Sequence, residues 1–454
     1  MRKVATRWVA LWMCVGATHG LAQTLTDAVY GKGGGSFEVW ADQRSNALPS
    51  SFLNSLYQGG FLDGETLQGV LDAHPGMGGM GLSAGWSKRW STHPVGQLNS
   101  KGKKEWALAG SFGSEVLVSS LWRRELFDLV FMGNAGHTGR VDPLTGTGIR
   151  VGVFNRFSLG VEHLETRQRF ELGLVQRAAG AEFGVLNGSF WVSEAADSMS
   201  FFMQSYGSVS LDQLPDSSGF QASHILPAYG VGVSGSLPLS SELWPLHFRV
   251  DFQDVGVLWE PPGGLLAVVD TGFATTGLPA LGEGWTWETL LNDGVPTSPE
   301  ELVLSTDSAL GRLLMLPASV NAHLQWWPNP ELQLQARLRG GRWMPVPEYA
   351  LGVGWIPSGR FAVGVDVRNG GWGGLRPVTW AKLRVSPKRV LIVEVDDPLG
   401  WAWQSEWAAN TYGRGVRVKL ERLPGLRWTQ FAGFNSRDLP AKKPRKKPDP
   451  AVRG

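Results

Sequence analysis

Pairs of polar residues two positions apart recur along the second half of the chain. They are Arg249 and Asp251, Gln333 and Gln335, Arg337 and Arg339, Asp366 and Arg368, Lys382 and Arg384, and Arg417 and Lys419. A spacing of two puts both members on one face of an extended strand. Their chemistry is electrostatic: guanidinium and ammonium groups hold anions or pair with carboxylates. Cations outnumber acids in this set even when Glu171 and Glu421 are added. Either the charges pair across a narrow interior and fill it, or the excess forms a cationic constriction that favours anionic solutes.

Catalytic signatures are weak by comparison. Gly81-Leu82-Ser83-Ala84-Gly85 has the spacing of a nucleophile elbow, but without an apolar strand before it and a helix after it. The histidines show no His-Glu-x-x-His or related ligand spacing, and Gly31-Lys32-Gly33-Gly34-Gly35-Ser36 has the wrong order for a phosphate loop. Asp396-Asp397 adjoins Pro398 and reads as a turn. No catalytic residue, metal or cofactor is assigned.

The elements that position the charged pairs read as strands. Residues 1–22 form a secretory signal peptide: Arg2, Lys3 and Arg7 precede an apolar run, and Gly20-Leu21-Ala22 supplies a cleavage site. Leu11-Trp12-Met13 before Cys14 is too bulky for a lipidation signal, and loss of the leader removes the single cysteine. Disulfides and thiolate chemistry are then excluded. Setting aside three basic residues in the leader, and six basic and one acidic residue after Ala441, leaves 33 basic and 39 acidic groups. That is no nucleic-acid footprint. No apolar run after the leader is long enough for a transmembrane helix, which leaves a closed barrel as the membrane option.

Strand signals start at Met80 and recur through Val116 to Trp122, which leads into Leu126 to Phe131, and on to Val416 to Leu423. The segment 23–81 is expected to be a plug or a periplasmic part, with helical turns near Phe52 to Tyr57 and over Gly64 to Ala73, the latter capped by Asp63. Between strands, 261–317 is expected to be a helical insertion, opened by Ser298-Pro299-Glu300-Glu301 as a capping box. The barrel spans 82–440, and the Lys/Pro-rich tail 441–454 is expected to be disordered.

Apolar residues alternate with the charged ones, as in Leu332-Gln333-Leu334-Gln335-Ala336-Arg337-Leu338-Arg339. A sandwich alternates too. Export without cysteines favours lipid against the apolar face. So do tryptophans near strand ends (Trp86, Trp90, Trp106, Trp122, Trp326, Trp327, Trp343, Trp355, Trp372, Trp380), where an interfacial girdle would sit. The expectation is an all-β fold, an antiparallel transmembrane β-barrel of about 14 strands.

Several segments resemble an uncharacterised Bacteroidota family of outer-membrane barrels. They are Leu126 to Ala135, ending in Gly133-Asn134-Ala135; Phe248 to Trp259, with Asp254 and Gly256; Leu316-Pro317-Ala318-Ser319-Val320; and Val390 to Asp396. That family is similar in outline to the long-chain fatty-acid transporter type of barrel, which includes a component of a protein secretion system. Arg44-Ser45-Asn46-Ala47 departs from the Asn-Pro-Ala usual near its start, and a basic tail follows the last strand where an aromatic often ends the chain. The resemblance implies an outer-membrane protein, not an enzyme, that takes up small or hydrophobic solutes or assists protein secretion. Its partners would be outer-membrane lipid, a small-molecule or lipid ligand and secretion components, with the barrel a monomer. The alternatives are a secreted Trp-rich module that binds glycans, and an outer-membrane lipid hydrolase.

Overall fold

The computed structural model describes residues 34–59, 62–98, 104–164, 166–210, 225–240, 246–276, 307–308, 311–358, 360–386, 389–401 and 411–422. The leader 1–22, the capping box at 298–301 and the tail 441–454 lie outside them.

Fourteen staves close into an antiparallel barrel in which each pairs with the next along the chain. They are β1 Gly35–Ser45, β2 Met77–Leu98, β3 Lys104–Arg123, β4 Gly148–His163, β5 Arg169–Val192, β6 Ala228–Ser240 and β7 Leu246–Glu260. The rest are β8 Ser319–Asn329, β9 Leu332–Gly341, β10 Glu348–Ser358, β11 Phe361–Gly370, β12 Gly373–Ser386, β13 Arg389–Asp396 and β14 Gly413–Arg422. The seam is β14 on β1, with Val39 opposite Val418 and Ala41 opposite Val416. Closure satisfies every edge, which a lipid environment requires.

β1 corrects the expectation for 23–81. It was read as part of a plug or periplasmic segment, yet it is the stave that closes the barrel. Phe37, Val39 and Ala41 alternate with Glu38, Trp40 and Asp42, but an inward Trp40 and an outward Gln43 blur the period of two.

Alternation runs as expected along the later staves. On β10, Tyr349, Leu351, Val353 and Trp355 are exposed, and Glu348, Ala350 and Ile356 are buried. Leu351 is 68% exposed in a strand whose next residue but two is a glycine. A soluble protein would not leave so much branched apolar surface bare. The bare belt is the lipid face.

The barrel's two ends differ. At one, the connections 330–331, 359–360 and 387–388 are tight; at the other, 46–76, 124–147, 193–227 and 261–318 are long. Three helices pack over the long-connection end: α1 Ser50–Gln58, α2 Gly64–Ala73 and α3 Arg124–Met132. Asp63 caps α2 by accepting from the Thr66 N–H at 2.7 Å. Phe52, Leu53, Leu67, Val70, Leu71 and Phe127 form their shared core.

α3 corrects the strand read at Leu126 to Phe131. One polar residue in that run fits either period. Phe127 and Phe131, four apart, stack on Phe52 only as a helix places them. The helical insertion is corrected at its described ends. Leu265–Thr276 is a strand against Ser198–Val209, and Arg312–Met315 is a strand against β7. Leu265, Leu266, Val268 and Val269 complete an open strand edge there, which a helix could not do.

Candidate functional site: the barrel lumen

The expected charged pairs all lie on staves, and the structure divides them by what they touch. Asp366 and Arg368 are buried on β11. Arg368 reaches Glu394 at 2.9 Å and Asp366 at 3.6 Å. Asp366 also accepts from Trp380 Nε1 at 3.2 Å and from Gln335, which in turn accepts from Gln333 at 3.2 Å. Arg417 pairs with Glu38 at 3.4 Å and Lys419 with Glu421 at 3.2 Å. Arg249 pairs with Asp251 at 2.8 Å near the short-turn end, half exposed. Lys382 lies over the Trp380 ring at 5.0 Å, and Arg384 bonds the Ser386 carbonyl at 3.2 Å. Arg337 and Arg339 have no hydrogen bond or ion pair to any described residue.

Much of the site was not anticipated. Arg44 of β1 is the hub of a buried network, touching Asp396 at 2.7 Å, Glu348 at 2.9 Å and Asp42 at 3.2 Å. Arg376 joins it through Asp396 at 3.0 Å and through Glu348. Asp396 was read as a turn residue with Asp397; the structure makes it the last residue of β13 and an ion-pair anchor. Its alternation with Glu394 was the available signal.

A second network crosses the barrel. Glu115 on β3 accepts from Arg342 at 2.6 Å and pairs with Arg156 at 2.8 Å, and Arg156 binds Asp254 at 2.6 Å. Asp254 has φ of 56° and sits where the β6–β7 register shifts. A bulge of this kind turns a side chain to the other face. Ser83, the serine of the elbow-like motif, accepts from Trp40 Nε1 at 2.8 Å and donates to Glu115 at 3.1 Å. β2 runs straight through it, so it is wall and not an elbow.

Above that network lies an apolar layer of Leu117, Phe154, Val175, Ala228, Leu258 and Leu316. Above the layer, Glu260 is held between Arg177 and Arg312, with Arg312 also donating to Ser208 at 2.8 Å. Ion pairs thus bracket a dry band on the β3–β7 wall.

Two turns fold into the lumen at the long-connection end. The β9–β10 turn carries Gly341, Arg342 and Trp343 at φ of 93°, 54° and 60°. Left-handed backbone costs a non-glycine residue about 1–2 kcal/mol, so tertiary contacts hold it. Arg342 reaches Glu115 on the far wall, and Trp343 packs on Phe154 with ring centroids 5.8 Å apart. The β11–β12 turn carries Trp372, 1% exposed, whose Nε1 donates to Ser119 at 3.1 Å. Ser119 in turn donates to the Trp343 carbonyl at 3.2 Å. A Cβ at Gly81 would stand 2.0 Å from Trp372, so the opposite wall is shaped to receive the indole.

These placements correct the girdle as first drawn. Trp106, Trp326 and Trp355 are exposed on the outer face, where Trp86 also stacks edge-on with Phe112. Trp343 and Trp372 reach across the lumen, Trp327 and Trp380 line its interior with Ile356 and Ala362, and Trp122 bonds His74 at 2.9 Å. Tryptophans turned inward on a closed barrel leave no open Trp-rich sheet for a glycan.

Among the described residues no group of three His, Cys, Asp or Glu side chains could hold a metal ion. No family model and no curated relative matches the chain. Solved barrels overlap it at low similarity. The toluene transporter TbuX of Ralstonia pickettii is 6% identical, with 86% of this chain and 89% of that one covered and a TM-score of 0.36. The toluene transporter TodX of P. putida is 10% identical over 86% and 87%, at 0.31. The translocator domain of the autotransporter NalP from Neisseria meningitidis is 10% identical over 90% and 97%, at 0.27. Scores of this size add nothing to the strand pairings, on which the barrel rests, and the Bacteroidota resemblance keeps only its short motifs.

Proposed function

We propose that this chain is a monomeric outer-membrane barrel that takes up small or hydrophobic solutes through its lumen, without catalysis. The observation that carries the reading is the interior. One wall alternates ionic and apolar layers, and two inward turns reach across the lumen at one end. A wall that only had to be filled would not need strained turns to narrow it. Tight turns at one end and long connections at the other follow the usual polarity of outer-membrane barrels, with tight turns periplasmic. The inward turns then face the cell exterior. Solute uptake fits these turns better than a secretion accessory does, because they narrow the lumen.

Heat-modifiable migration in outer-membrane extracts tests the location, and release into soluble periplasm would refute it. Planar-bilayer recordings test the route. Trp343→Ala should raise single-channel conductance several-fold over wild type. Equal, zero conductance in both would sink the uptake reading.

A further inference from the structure

Arg337 and Arg339 differ from every other arginine expected in the lumen. They project from one face of β9, about 6.6–7 Å apart along the strand. In register they face His323 and Asn321 on β8, and Ala350 and Glu348 on β10. Glu348 is the single acid among those neighbours, and it is already bound by Arg44 and Arg376. The next acids are also taken: Asp366 by Gln335 and Trp380, and Glu394 by Arg368. His323 is held by Gln335 through Nε2 at 3.3 Å and adds no negative charge. Lys382, on its Trp380 ring, is a third cation on this part of the wall, and its nearest acid, Glu421, is already paired with Lys419.

Positive charge gathered on an enclosed wall, where the nearby acids are already bound by other groups, is costly unless an anion or water balances it. Paired guanidinium forks match the oxygens of a phosphate, whose charge near −2 suits three cations better than a monocarboxylate does. We propose that Arg337 and Arg339, flanked by Lys382, form a phosphate-binding site in the lumen. It rests on the uptake reading only for its route of access, not for binding itself.

Equilibrium dialysis of radiolabelled inorganic phosphate against the detergent-solubilised full chain at low salt is the test. Wild type should bind, and the Arg337→Gln/Arg339→Gln double variant should bind at least tenfold more weakly. Arg337→Lys/Arg339→Lys, which keeps charge but loses the forks, should fall between. Arg169→Gln, which breaks the pair with Glu171 on β5, should bind like wild type. Heat-modifiable migration of each variant certifies its fold. Competition by glucose 6-phosphate assigns the site to phosphate esters as well as the free ion. Its absence restricts the site to the free ion, and both support it. Acetate competing as well as phosphate overturns the proposal, as does an equal loss in Arg169→Gln or full binding by the double variant. Phosphate bound without conductance would overturn the uptake reading alone.

Discussion

The wall from β10 through β14 to β1 and the single stave β9 carry the same residue type under opposite conditions. Arg44, Arg368 and Arg376 are buried and share Glu348, Glu394 and Asp396 among them. Arg337 and Arg339 are partly exposed to the interior and hold none of the described acids. An arginine inside a barrel is therefore not informative by itself. Its carboxylates decide whether it is mortar or a site.

The sharpest way to break the comparison is to remove an acid from the paired wall. Glu348→Ala strips Arg44 and Arg376 of a shared partner, and losing one side of a buried ion pair costs about 3–5 kcal/mol. Urea unfolding in lipid vesicles, followed by tryptophan fluorescence, should show that loss; an unchanged midpoint would mean the network is solvated. Trp343→Ala should cost about 2 kcal/mol, less than a fully buried tryptophan because Trp343 is only half-buried, and it keeps the left-handed strain, which any Cβ imposes. Arg337→Gln should leave stability within about 0.5 kcal/mol of wild type, as partner-free positions do. A loss as large as that of Glu348→Ala would abolish the distinction between the two regions.

The smallest effect expected is a pH dependence in the helical cap. Burial holds the His74 imidazole below its usual 6.5, and its Nε2 accepts from Trp122 only when unprotonated. The unfolded chain therefore takes up the proton first. The cap's stability is fully present above pH 6.5 and is lost as pH falls below it. Amide protection factors over α1 and α2, which correct for the intrinsic pH dependence of exchange, should fall between pH 6.5 and 5 and stay constant above pH 7. His74→Gln should flatten that profile.

Staves such as β9, β11 and β14 were legible because their apolar residues alternate without interruption. Leu126 to Phe131 was not, because a nearly all-apolar run carries no period and only the aromatic core of α1 and α2 decides its form. Leu265–Thr276 was hidden for a related reason. Its partner edge belongs to a rim sheet that stands beyond the barrel, and nothing in its own residues announces that edge. Among site residues, the inward sense of Gln333 or Arg368 follows from spacing alone. The hub role of Arg44 does not. It depends on β1 meeting β14 and on Glu348 lying 304 residues away. Nor could spacing tell that the β9–β10 turn folds inward, since Arg342 and Trp343 adopt a backbone conformation that neither residue prefers.

The seam between β1 and β14 bears on how the barrel comes to exist. Gly35 lies opposite Arg422, so the earliest stave cannot complete its hydrogen bonds until the last has been made and delivered. Pairing across so long a stretch carries a high loop-closure cost and makes assembly slow. Until then both edges stay open, and the unfinished sheet can pair with strangers. A truncation before Gly413 should therefore yield an aggregating or degraded chain, not a leaky thirteen-stave barrel, and the cell would need an escort for the open-edged precursor.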